Sequence, residues 1–108
     1  MHKYKVTAYF CGHDHSLQHI ADDFMNHTVH YIVSGAGALN DPRVPNLNKI
    51  PKKSLKFEWH KGWGVVYGGL GLVKVDKQSM NIKFIRSRMQ PGSLKGLNVY
   101  ETVIYPRK

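Results

Sequence analysis

The stretch LGLVKVDKQSMNIKFI, residues 70–85, constrains the fold more than any other part of the chain. Met80, Ile82 and Phe84 fall on one face of an extended segment, and Asn81 and Lys83 fall on the other. That period of two belongs to a strand with one buried face. Leu70 to Val75 alternates in the same way, and Asp76-Lys77-Gln78-Ser79 between the two runs has the length and residue types of a hairpin turn. Val6–Cys11, Thr28–Ser34, Leu55–Trp59 and Val99–Tyr105 read as further strands. Nowhere does the apolar spacing supply an amphipathic helix of three turns. The sequence therefore predicts five or six strands with little helix, in a chain whose 108 residues fit one compact unit at most.

Between the strands, Gly12 to Ile20 reads as a loop or a short helical turn. Turn residues dominate Gly35 to Ser54, where Asn40-Asp41-Pro42, Pro45-Asn46 and Pro51 predict a long surface loop. Gly68-Gly69-Leu70-Gly71 lacks the Lys-Ser/Thr and the helix of a phosphate loop, so a close approach of backbones explains it better. Several strands look apolar on both faces, yet almost no second layer is apparent to cover them. The expectation is a missing partner, either more of the same polypeptide or an oligomer.

Sixteen Lys and Arg against seven Asp and Glu give a formal charge of +9, which attracts anionic partners without choosing among them. No apolar run reaches the roughly 18 residues of a membrane span, and MHKYKVTAYF lacks the pattern of a signal peptide. Cys11 is the only cysteine, so no internal disulfide forms, and its setting between Phe10 and Gly12 predicts a packing role.

The stretch YFCGHDHSLQHI raises a question of chemistry. His13 and His15 follow a strand and a glycine and flank Asp14. Imidazoles one residue apart can reach two ions that lie about 3.5–4 Å from each other in a two-metal hydrolase, and imidazole suits zinc, iron, copper and nickel. Asp14 could be a third ligand, an acceptor for an imidazole N–H, or a turn residue. The spacing alone leaves metal binding and a solvated polar turn both open. His2, His19, His27, His30 and His60 have no ligand spacing, and His30 reads as a strand-surface residue. Lys49, Lys52, Lys53, Lys56 and Lys61 interleave with Phe57, Trp59 and Trp63, where a solvated loop with inward aromatics is favoured over a nucleic-acid surface. Asn26-His27-Thr28 is a candidate N-glycosylation sequon just ahead of a strand.

Context sharpens the histidine pair. Val6, Thr7, Ala8, Tyr9 and Cys11 run into Gly12-His13-Asp14-His15 with Leu17 and Gln18; Ser34-Gly35-Ala36-Gly37 and then Asp41-Pro42 follow. This pattern resembles the purple acid phosphatases, and the aspartate between the histidines is similar to the small animal, tartrate-resistant type. The likeness is strongest over residues 6–42, continues through the Lys49–Phe57 entry and the hairpin, and fades after Arg86. Ser16, where the family more often has asparagine, is the departure inside the loop, and it is expected not to touch the metals.

The resemblance implies an α+β, mostly β fold. Residues 1–108 would be a partial C-terminal segment of one metallophosphoesterase (calcineurin-like) αββα sandwich domain, incomplete here. It implies hydrolysis of phosphate monoesters at acid pH by a dinuclear Fe(III)–M(II) centre, M being Fe, Zn or Mn. His15 would hold the ferric ion and His13 the divalent one. Phosphorylated small molecules or phosphoproteins would be substrates, and the protein would be a lysosomal or secreted glycoprotein modified at Asn26. The family's other ligand motifs, of the D-x-G, G-D-x-x-Y, G-N-H and V-x-x-H kind, and its leaving-group histidine are not found in these 108 residues. The N-terminal part of the same domain is therefore an expected partner, no catalytic residue is assigned, and the segment is expected to be inactive alone. The alternative is a non-catalytic basic module, or truncated isoform, that binds polyanions.

Overall fold

The computed structural model describes residues 1–37, 47–59, 68–87 and 96–106. Among the described residues seven strands run in order: β1 (Ala8–Cys11), β2 (Leu17–Phe24), β3 (His27–Ser34), β4 (Leu55–Trp59), β5 (Gly69–Val75), β6 (Met80–Ser87) and β7 (Gly96–Ile104). Two short 3-10 turns, His2–Tyr4 and Leu47–Lys49, complete the regular structure, and no α-helix occurs among the described residues. The mostly β character expected of the chain is borne out.

The strands form two sheets, one in the order β1-β3-β2-β4 and the other β5-β6-β7. β1 runs parallel to β3, pairing Cys11 with Val33, whereas β2 lies antiparallel to both β3 and β4. The β5–β6 hairpin closes at the predicted turn. There the Asp76 N–H donates to the Ser79 carbonyl at 3.0 Å, and the Asp76 carboxylate accepts the Gln78 and Ser79 N–H groups at 2.7 and 2.9 Å. Those two bonds hold its carboxyl below the usual carboxylate range.

The second layer that the sequence seemed to lack lies within the chain. Leu17, Ile32 and Ala36 from the first sheet meet Ile82, Phe84 and Ile104 from the second, with Phe57, Trp59, Met80 and Tyr100 packed around them. Phe57, Phe84 and Tyr100 stack at centroid distances of 4.6 to 6.0 Å. Fully burying a side chain such as Phe84 or Leu17 contributes about 1.5–3 kcal/mol. One face of each sheet is thus covered by the other. The remaining faces keep exposed apolar side chains, Leu70, Leu72 and Val103 on the second sheet and Tyr9 on the first.

β2 is a second correction, because Gly12 to Ile20 read as a loop or helical turn. The strand begins at Leu17, and its buried positions are Leu17, His19 and Ala21, alternating with the half-buried Gln18 and Ile20. The period of two is present, but a histidine and an alanine occupy two inward positions where large apolar side chains would have announced it. Met25 and Asn26 make the two-residue connection to β3 with φ of 48° and 64°, the pattern of a type I′ hairpin turn. Within the predicted long loop, Asn40-Asp41-Pro42 and Pro45-Asn46 lie outside the described residues. Its end is ordered by a Ser54 N–H to Pro51 carbonyl bond of 2.9 Å.

Candidate functional site

Residues 12–16 connect β1 to β2. The parallel ladder that ends at Cys11 and Val33 sets Gly12 beside Ser34, so this loop and Ser34-Gly35-Ala36-Gly37 leave the same end of the sheet. Three backbone segments then pack without side chains between them. The Gly35 N–H donates to the Ser16 carbonyl at 3.0 Å, and the Ser16 N–H turns back to the Asp14 carbonyl at 2.7 Å. A Cβ on Gly35 would stand 1.9 Å from the Asp14 carbonyl oxygen. One on Gly68 would stand 2.8 Å from the Gly37 carbonyl oxygen. The Gly69 N–H donates to the Ala36 carbonyl at 2.7 Å, and the Gly71 N–H donates to Ser34 Oγ at 3.1 Å. The glycines of SGAG and GGLG therefore serve the close approach expected of the second motif, and together they hold the histidine loop from below.

His13, Asp14 and His15 are exposed on this support, while Ser16 is buried and accepts the Gln18 side-chain amide through its Oγ at 2.9 Å. His13 adopts φ of 76°, the left-handed region that residues other than glycine seldom occupy. Such backbone strain concentrates where the surrounding structure fixes a functional side chain. The two imidazoles fit a metal in kind and fall short in number. No group of three or more His, Cys, Asp or Glu side chains placed to hold one metal ion occurs among the described residues. Cys11 does not complete such a group among the described residues, and burial, then the Asp14 charge, pushes its thiol up.

The other sequence candidates separate clearly. Phe57 and Trp59 pack against the core, so the exposed Lys52, Lys53 and Lys56 do not alternate with exposed rings. Lys61, Trp63 and His60 lie outside the described residues. His2 pairs with Asp22 at 3.0 Å, and His27 Nε2 donates to the Val6 carbonyl at 2.9 Å. Asn26 sits exposed at the apex of the β2–β3 hairpin.

His19 and His30 are the functional-looking residues that sequence reasoning missed. His30 faces inward rather than outward, and its Nδ1 lies 2.9 Å from His19 Nε2; His19 Nδ1 lies 2.8 Å from the Tyr100 hydroxyl. Burial, then the charges of His30 and Lys56, pushes His19 down to about 4. Burial likewise lowers His30, partly offset by Asp23. Only the β2–β3 register, which sets Ala21 opposite His30 and His19 opposite Ile32, reveals the shared face.

No family model matches the chain. Tartrate-resistant acid phosphatase type 5 of the rat (Rattus norvegicus) is 39% identical over 84 residues, which cover 78% of this chain and 24% of the relative. The human (Homo sapiens) protein of the same name is 38% identical over the same shares, and that of the pig (Sus scrofa) is 37% identical with 23% of its length covered. The chain thus spans about a quarter of the length of the curated relatives it matches.

Proposed function

Because the chain belongs with the purple acid phosphatases, as a C-terminal segment of one, we propose that it supplies the last ligand loop of a dinuclear metal centre for phosphomonoester hydrolysis. The observation that carries this reading is the loop itself: His13 and His15 exposed on a glycine-packed support, with His13 held at a left-handed φ. When bound, an Fe(III)–M(II) pair, M being Fe, Zn or Mn, would bind the phosphate and lower the pKa of a bound water.

This chain's own contribution is positional. His13 and His15 offer imidazole nitrogens, and the Gly35 and Ser16 contacts fix where those rings start from. The exposed Lys52, Lys53 and Lys56 add to a field that draws phosphorylated small molecules or phosphoproteins toward the surface. This reading assigns no catalytic residue to the chain, and the segment alone would be inactive because two imidazoles cannot hold two metals.

A chimera tests the reading. This chain replaces the matching segment of the rat phosphatase, and metal content and hydrolysis of a phosphate monoester are measured. The chimera should bind metal and turn over, His13→Ala and His15→Ala should each abolish both, and the isolated chain should do neither. Full activity in both variants would remove the ligand assignment, and turnover by the isolated chain would remove its inactivity. Isolated chain that is inert but binds heparin with a steep salt dependence would favour the polyanion-binding module instead.

The same reading makes the protein lysosomal or secreted, with a glycan on Asn26, whose exposed hairpin apex suits an acceptor. Expression with a secretion signal should give a mass shift that a peptide N-glycosidase removes and that Asn26→Gln abolishes. An unmodified secreted product would end the glycan proposal without touching the ligand loop.

A further inference from the structure

The chain His30–His19–Tyr100 joins β3, β2 and β7, so it ties the two sheets together through side chains. His19 is 2% exposed, its ring stacks on His30 at a centroid distance of 5.2 Å, and Tyr100 stacks on Phe57 behind it. His30 is less enclosed. It lines a cavity of about 540 Å³ shared with Lys5, His27, Thr28 and Tyr105, which gives solvent a route to one end of the chain.

Counting protons fixes what this arrangement permits. A neutral imidazole has one donor and one acceptor, and a tyrosine hydroxyl can serve as either. With both rings neutral, the chain runs in either of two directions. One added proton leaves a complete chain when it resides on His30: His30 Nδ1–H donates to His19 Nε2, and His19 Nδ1–H donates to the Tyr100 oxygen. A second proton breaks it, because Nε2–H of His19 then faces Nδ1–H of His30 across 2.9 Å. Two like charges in a buried setting add repulsion to that lost bond.

We propose that His19, His30 and Tyr100 form a two-step acid latch between the sheets. The first proton, taken by His30, sets the direction of the chain and leaves the latch closed. The second, on His19, opens it and separates β2 from β7. The charges around the pair order the two steps. Asp23 favours a proton on His30; Lys56 on β4 disfavours a proton on either ring, and His27 disfavours one on His30. The depressed pKa of His19 supports the same order, although the latch rests on the three-residue geometry.

The test is an acid titration of the 108-residue chain, following imidazole 15N shifts for each ring and unfolding by circular dichroism. His30 should titrate first, with His19 keeping the 15N signature of a neutral ring until the ellipticity is lost. His30→Asn removes one of the two protons and keeps a hydrogen-bonding group near Nδ1, so its acid midpoint should move to lower pH. Independent titration of both rings while the fold persists would overturn the latch, as would an unchanged acid midpoint in His30→Asn. If that variant does not fold, the order of titration in the unaltered chain decides alone.

Discussion

Gly35→Ala is the substitution whose effect the structure fixes most tightly. The new Cβ would lie 1.9 Å from the Asp14 carbonyl oxygen and 2.8 Å from the Asp14 carbonyl carbon, both backbone atoms that no rotamer change can clear. Ordinary contact begins at 3.4 Å, so the two segments must part by about 1.5 Å, the difference between 3.4 and 1.9. Overpacking of this kind costs about 1–3 kcal/mol. The Gly35 N–H to Ser16 carbonyl bond spans the same gap and is worth about 1 kcal/mol. Replacing glycine returns about 0.4–1 kcal/mol through the unfolded chain. The net loss is therefore about 1–3.6 kcal/mol, or roughly 4–25 °C in Tm for a chain of this size. Gly37→Ala is the matched control, since its Cβ would meet nothing within 4 Å, and it should be neutral or slightly stabilising. Thermal unfolding of the two variants side by side is the assay. If Gly35→Ala melts within a few degrees of Gly37→Ala, the glycine-packed support for the histidine loop is wrong.

Three further outcomes follow from the packing and the buried imidazoles. Tyr100→Phe keeps the stack on Phe57 but leaves His19 Nδ1 without its 2.8 Å partner, so urea unfolding at pH 7.5 should show a loss of about 1–3 kcal/mol. Phe84→Ala empties the centre of the inter-sheet core, where Phe84 is 0% exposed, and should cost about 3–5 kcal/mol by the same measurement. His19, lowered from 6.5 to about 4 on folding, gives stability that is fully present above pH 6.5 and declines as pH falls toward 4. The urea midpoint should drop across that window, by up to about 3 kcal/mol of stability at 1.36 kcal/mol per pH unit; a midpoint independent of pH between 7 and 4 would contradict the burial of a neutral His19.

What was legible in the sequence depended on which residue type marked each position. β6 announced itself because Met80, Ile82 and Phe84 are large and apolar at alternate positions, and the turn at Asp76–Ser79 carried its own chemistry. The histidine loop drew notice for a different reason: the spacing of GHDH alone left a metal site and a polar turn both open, and only its resemblance, together with SGAG, to a known family favoured the former. β2 was hidden because its inward side chains include His19 and Ala21, and a buried histidine looks like a surface one until its partners are known. Those partners, His30 and Tyr100, lie 11 and 81 residues away along the chain. No local pattern encodes a contact of that separation.

The same blindness produced the expectation of a missing second layer. Counting apolar faces strand by strand cannot say that two sheets from one chain cover each other, because that depends on Leu17 and Ile32 meeting Ile82 and Ile104. Once that contact is known, the strand faces divide into two kinds. The inner ones hold the core and the His19–His30–Tyr100 chain. The outer ones carry Leu70, Leu72, Val103 and Tyr9, side chains that the described residues leave exposed. The histidine loop lies at a sheet end rather than on either face. Its geometry therefore depends on the backbone packing of Gly35 and Gly68 and not on what covers the outer faces. Under the proposed function, the ligands that complete the metal centre would meet a loop whose backbone Gly35 and Gly68 have already set, in a segment of about a quarter of its relatives' length.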